Sequence, residues 1–188
     1  MESLISLDST SYSAMFGVNC FANLFLSALA AIIIFVISMK RAGYFGESVN
    51  ENHTQNLGLL MFAFTVFYAY IAFCQFMLIW YGNLPEETSY FIRRWDNGWS
   101  FVALTILFVK FIIPFLLLLP REAKRNMNFL FKMACLAVVA NWIDLFWMTM
   151  PAYSKTPFLP LPELGIFVGF LSAFALVVAG FLSRHPVQ

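Results

Sequence analysis

Five stretches, at about 14–39, 57–81, 99–119, 129–150 and 163–183, run almost without charge. Each is long enough to cross a bilayer as an α-helix, which takes about 20 apolar residues at 1.5 Å rise per residue. This pattern constrains the chain more than any motif, because a backbone in hydrocarbon must satisfy its own polar groups, and only helices and closed barrels do so. Composition agrees: 61% of the 188 residues are hydrophobic and 11% are charged, too few polar side chains to cover a water-facing exterior. The expected fold is an all-α membrane protein, one transmembrane domain over residues 1–188, with five helices in a bundle and a short interfacial helix near 85–95. Its first partner is the lipid bilayer. A net charge of +1 supplies no field for nucleic acid.

An odd number of crossings puts the termini on opposite sides, and the basic residues choose between them. Lys40, Arg41, Arg121, Lys124, Arg125 and Arg184, with Lys132 just inside the fourth span, fall on one side; Arg93, Arg94 and Lys155 fall on the other. The excess of positive charge belongs in the cytoplasm, so the N-terminus is expected outside and the C-terminus inside. The acidic opening MESLISLDST and the long apolar run behind it do not fit a cleaved signal peptide. After the second span, Pro85, Glu86, Glu87 and Thr88 form a helix-start pattern that leads into Arg93 and Arg94. Trp80, Tyr81, Trp95 and Trp99 flank that segment as an expected aromatic belt at headgroup level. Arg93 and Arg94 either grip a lipid or an acidic neighbouring subunit, or simply snorkel to the interface. Pro157, Pro160 and Pro162 break regular helix between the fourth and fifth spans.

Polar residues at lipid depth are the best pointers to function, because a charge there costs several kcal/mol unless it is paired or hydrated. Lys110 lies mid-way along the third span, four residues before Pro114, which has no N–H to give the Lys110 carbonyl. Asp144 lies in the outer half of the fourth span and shares a helix face with Asn141. Antiparallel packing brings Lys110 and Asp144 within about 7 Å in depth, so a direct or water-bridged pair is expected, serving either a proton path or a fixed tie between helices. Tyr68 and Gln75 share a face of the second span and Asn23 adds an amide on the first, which reads as helix-to-helix hydrogen bonding or as a wet interior. His53, beside Glu51, is either a proton-uptake group or a solvated loop histidine.

Cys20, Cys74 and Cys135 sit apart in apolar stretches and read as free buried thiols, with no metal-ligand spacing. Nucleotide, metalloprotease and serine-hydrolase motifs are missing, so catalysis by this chain alone is not expected.

The run from Leu57-Gly58-Leu59-Leu60 through Phe73-Cys74-Gln75-Phe76 to Trp80-Tyr81, continuing as Gly82-Asn83-Leu84-Pro85-Glu86-Glu87-Thr88, closely resembles the ActF membrane subunits of bacterial alternative complex III. Ser6-Leu7-Asp8 with Tyr12 and Met15-Phe16-Gly17-Val18, Arg93-Arg94 before Gly98-Trp99, and Asp144-Leu145-Phe146-Trp147 before Pro151 extend the resemblance over nearly the whole chain. Such subunits are similar to the NrfD-type membrane subunit of polysulfide reductase. The likeness covers the second half of a ten-helix subunit, which implies that an N-terminal half is the partner, split off or truncated away.

By resemblance, the chain is a non-catalytic subunit of a respiratory quinol:cytochrome c oxidoreductase in the bacterial inner membrane, with its N-terminus periplasmic. The resemblance implies no cofactor on this chain: haem c, iron–sulfur clusters and quinol belong to other subunits. It also implies a proton-conducting role, for which Lys110, Asp144, Asn141, Gln75, Tyr68 and His53 are the candidates. Arg93, Arg94, Glu86 and Glu87 are candidates for contact with a subunit or a lipid. A transporter fragment with a midplane substrate site, and a purely structural or assembly protein, are the competing readings.

Overall fold

The computed structural model describes residues 14–43, 50–83, 85, 88, 92, 95, 98–152 and 161–184. Helix α1 spans Ala14–Arg41 and α2 spans Glu51–Gly82. The third crossing is composite, with α3 over Trp99–Ile106, a π-helical segment over Leu107–Ile112 and α4 over Ile113–Leu118. A single turn and a half, α5 (Arg121–Arg125), leads into α6 (Met127–Thr149), which ends in a tight turn at Met150–Ala152. Residues 158–188 form a second compact unit, whose helix α7 spans Leu161–Arg184 and carries an apolar stretch at Gly165–Phe181. Among the described residues four helices are long and apolar enough to cross a membrane, Gly17–Arg41, Glu51–Gly82, Trp99–Leu118 and Met127–Thr149, and the apolar stretch Gly165–Phe181 is shorter. The chain is a multi-pass, all-α membrane protein, the fold class expected from the sequence.

The outside of the bundle is as apolar as its inside. No more than 39% of any spanning window is buried within the protein. Large side chains such as Leu24, Phe73, Phe101 and Leu116 stand exposed, a surface that hydrocarbon tolerates and water does not. Within the bundle α1 packs against α2 and α6, and α2 also meets α4 and α5. The core is a cluster of Leu26, Ala30, Ile33 and Ile37 from α1, Met61 from α2, Leu118 from α4, and Leu130, Met133, Ala134 and Ala137 from α6. The alanines let helix backbones approach closely, which is how association is won where lipid removes the hydrophobic drive.

Local signals account for the helix ends. Asn50 caps α2, its side chain accepting from the backbone N–H of Asn52 and His53, while the His53 ring accepts from the Asn50 N–H. Asn83 closes the same helix in the left-handed region, at φ 45°, a conformation that asparagine tolerates better than most residues. Asn126 caps α6 in the same way as Asn50 caps α2. Of the expected interfacial helix, Pro85, Thr88, Ile92 and Trp95 are helical and spaced to share one face; its other residues lie outside those described. Trp80, Tyr81 and Trp95 are exposed as a belt requires, but Trp99 is not part of it. It is 1% exposed and packs on Phe146 at a centroid distance of 5.7 Å, because α3 begins with this residue turned toward α6. The three cysteines are free but only half-buried, on flanks of their helices rather than in the core.

Gly58 allows α2 and α5 to approach closely. A Cβ there would lie 3.0 Å from Lys124 Cβ, 3.1 Å from its Cγ and 3.4 Å from Leu130 Cδ1. Lys124 is itself buried, its ammonium 5.0 Å from the centroid of the Phe62 ring, so its stem has little room to yield. Gly58→Leu is therefore expected to cost about 1–3 kcal/mol by overpacking. The check is the denaturation midpoint in mixed micelles, and an unchanged midpoint would show that the α2–α5 contact is slack.

Candidate functional site

Lys110 and Asp144 meet directly. Lys110 Nζ lies 2.6 Å from Asp144 Oδ2, and both side chains are almost fully buried. The ammonium also donates to Asn23 Oδ1 on α1 and sits 3.7 Å from the centroid of the Tyr68 ring on α2. Its three N–H groups thus meet a carboxylate, an amide oxygen and an aromatic face, a complete set for a buried lysine. Tyr68 donates its hydroxyl to the same Asp144 Oδ2, at 3.0 Å. One carboxylate oxygen therefore gathers side chains from α2 and the third crossing, while Lys110 brings in α1.

The backbone at Lys110 explains how this residue reaches inward. A regular α-helix would press the Pro114 ring against the Lys110 carbonyl and leave that carbonyl without its donor. The chain instead widens into the π-helical turn Leu107–Ile112, where the Ile113 N–H reaches back five residues to the Phe108 carbonyl. Within that turn Lys110 is buried while Leu107 and Phe108 face outward.

Asn141 is buried one turn from Asp144, as its spacing implies, yet neither its Nδ2 nor its Oδ1 has a hydrogen-bond partner among the described residues. Asn19 Oδ1, Asn23 Nδ2 and Trp99 Nε1 are in the same condition. Buried polar atoms of this kind are ordinarily satisfied by internal water. Their positions along the helices have a direction. Asn19, Gln75 and Trp99 lie toward the end where α1 and α3 begin, and Lys110, Asp144, Asn23 and Tyr68 lie deeper. Beyond them, toward the basic end, stands the apolar core cluster.

Gln75 is buried on the face of Tyr68 but shares no described hydrogen bond with the pair. His53 does not join the cluster: it is exposed, fifteen residues before Tyr68, or about 22 Å along the helix, and its ring is occupied with capping α2. Arg93, Arg94, Glu86 and Glu87 lie outside the described residues. Asn19 and Trp99 were not legible as site residues, since nothing in an apolar run marks which asparagine or tryptophan turns inward. Asn23 was legible as a polar residue in a span but not as a ligand of Lys110.

Removing one partner of a buried pair leaves an uncompensated charge, whereas removing both leaves a packing problem only. Asp144→Ala is expected to destabilise the bundle by about 3–5 kcal/mol, and Lys110→Met with Asp144→Leu to restore most of that loss, both read as unfolding midpoints in mixed micelles. Equal destabilisation by single and double variants would mean that the pair does not hold the helices together.

Compared with known proteins, the chain matches no family model and no curated protein.

Proposed function

We propose that the chain is an integral membrane subunit of a respiratory quinol:cytochrome c oxidoreductase, without a redox centre of its own, which scaffolds its neighbours and moves protons through the Lys110–Asp144 cluster. The observation that carries this reading is a fully buried ion pair at mid-depth among membrane-crossing helices, a costly arrangement found mainly where charge or protons are handled. The resemblance of the second span, its PEET loop and the Asp144-Leu145-Phe146-Trp147 segment supports the family reading. Haem c, iron–sulfur clusters and quinol would reside on partner subunits. The distribution of basic residues supports an N-terminus outside and a C-terminus in the cytoplasm, and the resemblance implies that the membrane is a bacterial inner membrane.

In this reading protons enter from the end lined by Asn19, Gln75 and Trp99, which the charge distribution assigns to the outside. A proton arriving on Asp144 neutralises the carboxylate and leaves the Lys110 ammonium uncompensated in a low-dielectric interior. Lys110 then gives up a proton, which is handed on to a neighbouring subunit because the aliphatic cluster closes the direct way to the basic end, and the pair is neutral overall before and after. The apolar core cluster bars leakage toward the basic end. Asn23 and Tyr68 hold Lys110 in place while its charge changes.

A second reading is a static tie, favoured by the complete set of partners around Lys110. The stable double variant, Lys110→Met with Asp144→Leu, separates the two. In the purified complex it is expected to retain quinol-dependent cytochrome c reduction and to translocate fewer protons per electron. Unchanged coupling would make the pair a tie, and a wild-type chain that purifies without c-type haem would remove the respiratory assignment.

A further inference from the structure

At the basic end of the bundle, where α1 finishes and α6 begins, one arginine is held by two contacts that do not neutralise it. Arg41 donates from Nη2 to Asn128 Oδ1 at 2.7 Å, and its Cζ lies 4.5 Å from the centroid of the Phe131 ring. The amide and the ring fix the guanidinium in place but leave its charge, and most of its N–H donors, unused. Lys132 follows Phe131 and stands one helical turn after Asn128, so it shares the Asn128 face of α6. It is exposed, as are Arg41 and Asn128. Neither Arg41 nor Lys132 has a carboxylate within ion-pair reach among the described residues, and Glu51, an acid at this end, is taken by Arg125 at 2.9 Å. Two cations without a counter-charge therefore stand close to Asn128, one on α1 and one on α6.

Depth and surroundings select the counter-ion. Lys132 is rooted about 6 Å further along α6 than Asn128, so both cations lie where headgroups meet hydrocarbon rather than in bulk water. Membrane lipids carry their phosphates at that level. Further along the same face of α6 come half-buried Cys135 and exposed Val139, an apolar strip against which an acyl chain can lie. A phosphate offers oxygens to the arginine fork and to the ammonium at once. A zwitterionic lipid brings a cation of its own to the site, whereas an anionic lipid leaves its charge for the two side chains. We infer that the groove between α1 and α6 at the basic end binds an anionic phospholipid, with its phosphate held by Arg41 and Lys132 and an acyl chain along the Cys135–Val139 strip. Lys132 is twelve residues before Asp144, about 18 Å along the helix, and the lipid site requires no proton movement.

The test is native mass spectrometry of the full chain released from non-ionic detergent and titrated with phosphatidylglycerol or with phosphatidylcholine of the same acyl chains. Phosphatidylglycerol is expected to form a saturable adduct with an affinity at least about tenfold above that of phosphatidylcholine. Arg41→Gln with Lys132→Gln is expected to bring the two lipids to equal affinity. Lys132→Glu alone leaves the Arg41–Asn128 contact untouched and is expected to do the same, so the outcome does not hang on a variant that loosens α1 from α6. Arg121→Gln with Arg125→Gln removes as much charge from α5, at the same end, and is expected to leave the preference intact. A large excess of inorganic phosphate is expected not to displace the lipid. Equal affinity of the two lipids for the natural chain would make the groove an acyl-chain slot, an equal loss in the α5 variant would make the preference a matter of net charge, and displacement by inorganic phosphate would make it a site for free anions; any of the three overturns the proposal.

Discussion

A single lysine ammonium, held between a carboxylate, an amide oxygen and a tyrosine ring, joins all four packed crossings. Lys110 comes from the third crossing, Asp144 from α6, Asn23 from α1 and Tyr68 from α2. In a bilayer the apolar faces of these helices have no preference between one another and lipid, so burial alone does not decide how they align. A charge at mid-depth does decide, because every arrangement that separates Lys110 from Asp144 strands both in hydrocarbon. The pair thus acts as a register pin, and the π-helical turn before Pro114 belongs to the same device, since it sets where the lysine stands on its helix.

Around that pin the bundle is polarised. On one side are amides and an indole N–H with no partner among the described residues, and on the other is a cluster of aliphatic side chains with small alanines between them. The basic end is finished by contacts of ordinary strength: Arg41 to Asn128, Arg125 to Glu51, and Lys124 over Phe62. The salt bridge there is solvent-exposed and worth little by comparison with the buried pair. This asymmetry, polar at one end and sealed at the other, is what the proposed proton path rests on. Asp144 also lines an aromatic cavity between α2, the third crossing and α6, while its Oδ2 holds the lysine and the tyrosine.

Much of this was legible in the residues alone. The spans follow from runs of apolar residues, and the approach of Lys110 to Asp144 from counting 1.5 Å per residue down two antiparallel helices; the caps at Asn50 and Asn126, which extend α2 and α6 beyond the apolar runs, did not. The disturbance at Pro114 was expected as an orphaned carbonyl, though its resolution into a π-helical turn was not. His53 read as either a proton-uptake group or a solvated loop histidine; it is exposed, and its place at a helix start makes it a cap.

What the sequence by itself determined is one-dimensional: which segments are helices, how deep each polar residue lies, and which charges must find each other. Tertiary structure alone decided what lies around the axis of each helix. A helix that is apolar on every side carries little angular signal, so the inward turn of Trp99, the grasp of Asn23 on Lys110 and the half-exposed cysteines could not be read from spacing. The cavity belongs to the same class, because its walls are built from three elements distant in sequence, and nothing local to Phe73, Phe111 or Trp147 foretells that they face one space.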